Sequence, residues 1–72
     1  MQIDLTYGED QANGEEALFI DAKHFPSEWE LDKEVRDFLK GKTEVIYFVI
    51  IDDDGTEGNH GYIENGEIIQ WG

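Results

Sequence analysis

Asp52, Asp53, Asp54 and Glu57 bracket Gly55 within six residues, and such a set of carboxylates next to a glycine suggests a calcium loop. The EF-hand pattern requires alternate oxygen ligands ahead of its glycine, and with Gly55 in that role Ile50 would occupy the first ligand position. The match fails, and an acidic hairpin turn built from the preferences of Asp and Gly is the better reading. His24 and His60 are the only histidines. Each lacks a companion ligand at zinc-site spacing, so both are expected as ordinary surface residues. The one serine, Ser27, is better used as a helix cap than as a nucleophile, and there is no cysteine. Carboxylates are plentiful, but an acid/base pair needs a cleft and one carboxyl with a raised pKa, and no glycine-rich phosphate loop is present. No catalytic residue, metal ligand or cofactor is assigned, and the chain is expected not to be an enzyme.

The composition is more informative than any motif. Eighteen acidic residues against five basic ones give a formal net charge of −13 and a pI near 4.1. Charge of that density keeps a chain soluble and repels nucleic acid and anionic membrane surfaces, so direct binding to either is disfavoured. Three origins compete: a generic solvated surface, adaptation to high salt, and complementarity to a basic partner. Salt adaptation fits poorly, since four of the five basic residues are lysine and isoleucine is the commonest aliphatic.

Any site must be carried on elements arranged around Val45 to Ile51, the one long apolar run. Rich in β-branched and aromatic residues and bounded by Gly41 and Gly55, it predicts a central strand. Alternation sets Ile46, Phe48 and Ile50 on one face and Val45, Tyr47, Val49 and Ile51 on the other, so both faces call for cover. Ile3, Leu5 and Tyr7 alternate with polar residues and predict a first strand with one wet face. The polar stretch from Gly8 to Gly14 and the run Ala17 to Ala22 then predict a hairpin. Ser27 as N-cap with Glu30 as its capping-box partner, and a staple of Phe25 or Pro26 on Leu31, open a helix. Its apolar stripe is Leu31, Val35, Phe38 and Leu39, and Gly41 ends it. At about 14 residues it would span about 21 Å, enough to cover one face of a seven-residue strand and not both. Asn65-Gly66 predicts a two-residue hairpin turn that sets Ile63 opposite Ile68, Tyr62 opposite Ile69, His60 opposite Trp71 and Glu64 opposite Glu67.

At 72 residues the chain is expected to form a single small domain, burying only about 60% of its unfolded surface. The order ββαβββ predicts an α+β fold with a mainly antiparallel sheet of four or five strands and one helix across one face, a β-grasp-like arrangement being one variant. Its first residues carry no secretory pattern and no segment has the length of a membrane span, which leads to the expectation of a soluble cytoplasmic protein.

Chain reversal at each element would gather the 8–16 turn, the helix C-terminus, Glu64 and Glu67 at one end, and Glu28, Glu30, Asp52, Asp53, Asp54 and Glu57 at the other. Asp52, Asp53, Asp54, Glu57, Glu64, Glu67, Glu28 and Glu30 form the candidate partner-binding set, with Trp29, which a helical wheel turns away from the core stripe, as an anchor. Tyr47, Tyr62, Ile69 and Trp71 are the candidate apolar interface on the uncovered sheet face, for a homodimer or a docked partner. The functional expectation is an acidic protein-binding module. It would be an inhibitor or DNA mimic occupying the basic site of a nucleic-acid-binding protein such as a nuclease or defence effector. The alternative is an accessory or structural domain whose acidity serves solubility.

Overall fold

A computed structural model describes residues 1–9 and 12–71, with only the backbone of Trp71. Asp10 and Gln11 of the expected first turn lie outside the described residues. The order is β1 (Gln2–Tyr7), β2 (Glu15–Asp21), a 3₁₀-helix (Pro26–Leu31), α1 (Lys33–Leu39), β3 (Ile46–Ile51), β4 (Glu57–Glu64) and β5 (Glu67–Trp71). The five strands form one sheet in the order β2-β1-β3-β4-β5, and every neighbouring pair is antiparallel. This is the expected α+β architecture. Its pairing is wholly antiparallel, with one crossover, from β2 over β1 to β3, and it lacks the parallel central pair of the β-grasp-like variant.

β2 and β3 flank β1 and run in the same direction, so the helical segment joining them must cross over β1 on one face of the sheet. Register identifies that face. Ile3 pairs with Ile50 and Ile20, Leu5 with Phe48 and Leu18, and Ile46 with Ile63. Ile3, Leu5, Ile46, Phe48, Ile50 and Ile63 are buried there with Val35, Trp29 and Ala22 as one core cluster. The central strand is therefore covered on the side of Phe48 and left to solvent on the side of Tyr47.

The single long helix expected over this face is instead two short ones. Asp32 breaks it with φ −92° and ψ 110°. Its carboxylate oxygens accept the backbone N–H groups of Lys23 (3.4 Å) and His24 (3.1 Å), tying the loop after β2 to the start of α1. Glu28 is also non-helical at φ −123°, and Ser27 makes no side-chain cap. The expected capping box and staple are therefore absent: Phe25 and Leu31 are exposed, and Pro26 is buried in their place. Gly41 does follow α1 in the left-handed region at φ +78°.

The break corrects the placement of Trp29. A continuous α-helix at 100° per residue turns it outward, whereas the tighter 3₁₀ segment and the phase change at Asp32 turn it in. Trp29 is 3% exposed and meets Phe48 edge to face, with ring centroids 5.0 Å apart. It is a core residue and leaves the partner-binding set. Leu31, 63% exposed, leaves the core. Trp29→Ala should cost about 3–5 kcal/mol by urea denaturation, as for other buried tryptophans, and Leu31→Ala within about 0.5 kcal/mol. Equal costs would refute this packing.

Candidate functional site

The uncovered face of the sheet follows from the same register. Row by row it carries Glu16, Thr6, Tyr47 and Tyr62, then Phe19, Asp4, Val49 and His60, then Asp21, Gln2, Ile51 and Glu57. Glu64 and Glu67 stand opposite each other above Tyr62, beside a turn whose Asn65 (φ 54°) and Gly66 (φ 76°) have the positive φ values of a type I′ turn. Tyr47 is the hub of an aromatic cluster, its ring centroid 5.5 Å from Tyr62 and 5.9 Å from His60. Val49 is only 2% exposed although no helix covers it, and it stands between Asp4 on β1 and His60 on β4. Phe19, at 47%, is the most exposed apolar side chain in these rows.

The register of β4 and β5 differs from expectation beyond the turn. Ile63 faces Ile68 and Glu64 faces Glu67 as anticipated, but an irregularity follows, so that Gln70 pairs with Tyr62 and Trp71 with Gly61. Ile69 is the extra residue of the bulge and remains exposed. Trp71 stands opposite Gly61 rather than His60, and its side chain lies outside the described residues. Of the candidate interface, Tyr47 and Tyr62 are thus brought together, with Ile69 beside them.

Charge separates the two faces of the molecule. All five basic residues, Lys23, Lys33, Arg36, Lys40 and Lys42, lie between β2 and β3, as do Glu28, Glu30, Asp32, Glu34, Asp37 and Glu44. That stretch carries a formal charge of only −1, and the remaining −12 of the −13 belongs to the strands and their turns. Asp4, Glu16, Asp21, Glu57, Glu64 and Glu67 all fall on the uncovered face by register, and no strand carries a lysine or arginine. At one end, Asp21 and Glu57 adjoin the turn of Asp52, Asp53 and Asp54. Thr56 donates its backbone N–H to Asp54 at 2.9 Å, and the terminal amine of Met1 lies 3.6 Å from Asp53. Glu64, Glu67 and Glu16 lie toward the other end. Glu28 and Glu30 do not join the Asp52 to Glu57 cluster. They belong to the helical layer, and Glu30 lines a groove with Asn65, Gly66 and Glu67 on the covered side.

That groove, about 930 Å³ between the helical layer and β5, is also lined by Trp29, Arg36, Asp37 and Ile68. Of the three acids lining it, Asp37 accepts a hydrogen bond from Lys33, which lowers its carboxyl pKa, the reverse of what a general acid needs. Among the described residues no three of His, Asp and Glu stand together to hold a metal ion. His24 lies beside Asp32 at 3.2 Å, in the loop after β2, and His60 lies on β4. No helix among the described residues is long and apolar enough to cross a membrane.

Compared with protein-family models, curated proteins and solved structures, the chain matches none.

The facing pair Glu64 and Glu67 is a local cost in stability, since like charges directly opposite repel. Glu64→Gln or Glu67→Gln should therefore stabilise the fold by about 0.2–1 kcal/mol at low ionic strength. The gain should shrink in 1 M salt, where the Debye length is about 3 Å. Urea denaturation at both salt concentrations checks this. The Asp52 to Glu57 turn behaves oppositely. The backbone N–H of Thr56 lowers the Asp54 carboxyl below its ordinary 3.8, so its contribution is present above that value and is lost as pH falls through the lower folded-state pKa. Amide exchange at Thr56 should accelerate on acidification through that window relative to the intrinsic rate.

Proposed function

We propose that the protein is a binding module for a basic protein, a nucleic-acid mimic that inhibits a nuclease or defence effector by occupying its phosphate-binding site. The observation that carries this reading is the segregation of charge. An acidity that served solubility alone would be scattered evenly, whereas here every basic residue lies in the stretch between β2 and β3, which carries only −1 of the −13, and six strand carboxylates share the uncovered face with no lysine or arginine among them. Proteins that grip nucleic acid present rows of lysine and arginine to phosphates. Rows of carboxylates on a flat sheet complement such a surface and speed encounter with it.

The uncovered face is the docking surface in this reading, with Asp52, Asp53, Asp54, Glu57, Glu64 and Glu67 as its charged rim and Tyr47, Tyr62 and Ile69 as its apolar part. A second copy of the chain would bring the same carboxylates against themselves, so a basic partner is the better occupant and a homodimer the poorer one. The activity is binding rather than catalysis, in the cytoplasm where such a target works.

Simultaneous Asp52→Asn, Asp53→Asn, Asp54→Asn and Glu57→Gln should leave the fold intact by circular dichroism. Capture of the partner from native lysate should weaken by at least tenfold, and elution from wild type should rise steeply with salt. A captured partner that is acidic, or capture indifferent to both changes, would overturn the reading.

A further inference from the structure

The carboxylates explain attraction to a basic surface in general, but the aromatic cluster beside one pair of them selects among cations. We infer that Tyr47, Tyr62, Glu64 and Glu67 form a recognition site for an arginine side chain of the protein partner, in preference to lysine. The inference rests on the binding-module reading and sharpens it to one residue type.

Glu64 follows Tyr62 by two residues on the same face, roughly 6.6 Å along the strand, and Glu67 lies directly across from it. The Tyr47 and Tyr62 rings stand 5.5 Å apart and inclined at 59°, with His60 on the far side of Tyr47. A planar cation laid against the tyrosine rings therefore has its edge within reach of the facing carboxylates. Arginine suits both halves of this arrangement. Its guanidinium stacks on aromatic faces, is weakly hydrated, and carries five donors in a fork that meets carboxylates in pairs. Lysine brings a compact, strongly hydrated point charge that gains less from a ring. Sharing one guanidinium would also relieve the repulsion between Glu64 and Glu67 that the free protein carries.

The other acidic end lacks these features. Asp54 is already engaged with Thr56, and Asp53 lies near the Met1 amine. No aromatic pair involves a residue of that turn among the described residues. That end attracts without selecting.

Nona-arginine and nona-lysine peptides, equal in charge and length, separate these contributions when titrated calorimetrically into the full chain near 0.15 M salt. The arginine peptide should bind about tenfold more tightly than the lysine peptide. Tyr47→Leu with Tyr62→Leu should abolish that preference by weakening the arginine peptide about tenfold more than the lysine peptide, and Tyr47→Phe with Tyr62→Phe should keep it. Glu64→Gln with Glu67→Gln, at exposed positions beside the turn, should weaken the arginine peptide more than the lysine peptide, which keeps the test decisive if the leucine variant fails to fold. Equal binding of the two peptides by wild type would overturn the arginine site and leave the acidic module standing. Binding of neither would overturn both.

Discussion

One helical layer has to serve a central strand that is apolar on both sides. That constraint organises the molecule. Because β2 and β3 run the same way on either side of β1, the crossover can pass over only one face, and the core forms there between Phe48, Trp29, Val35 and the aliphatic residues of β1, β3 and β4. The other face must reach an acceptable state with side chains of the sheet alone. It does so by setting tyrosines and a histidine, whose polar tips tolerate water, where a third layer would otherwise be needed, while Val49 beside them stays buried.

Edge-to-face contact between Trp29 and Phe48 shows why the helical layer could not be read from periodicity. The strands were legible because alternation with period two survives whatever packs on them, and Asn65-Gly66 specified its turn through positive φ. The helix wheel presupposed one unbroken helix through Asp32. A carboxylate that captures the N–H groups of Lys23 and His24 competes with helix continuation, and no spacing rule announces that its partners lie eight and nine residues upstream. Once the break is made, Trp29 and Leu31 exchange roles. The slip in register beyond Ile63 has a similar origin, because a single extra residue at Ile69 is invisible to a pairing rule that counts outward from the turn.

The candidate surface was legible in part. Glu64 opposite Glu67 followed from the Asn65-Gly66 turn, Tyr47 and Tyr62 were expected on the same uncovered face, and the acidic turn at Asp52 to Glu57 was expected from its Asp and Gly residues. Phe19, Asp4, Glu16 and Asp21 were missed, although the alternation of Leu18 and Ile20 with Phe19 and Asp21 placed them outward once the first hairpin was accepted. The stronger signal was the confinement of every lysine and arginine to one stretch. Only the crossover topology turns that one-dimensional fact into two electrically different faces.

The same segregation sets limits on how binding energy can arise. Val49 and Thr6 are already buried on the uncovered face, so a partner gains little by covering them again, and the fresh apolar area it can remove from water is mainly that of Phe19, Ile69 and the tyrosine rings. Area alone then supplies a modest contribution, and like charges held together in the free protein become the larger reserve. Each cation that settles among them gains its own attraction and also removes a repulsion that the fold had carried. Strain of that electrostatic kind costs stability in the unbound domain, most sharply at low ionic strength. Salt screens it, and positive groups matched to the spacing of the sheet would relieve it more specifically, so the cost carried by the free domain and the selectivity proposed for its surface have one origin.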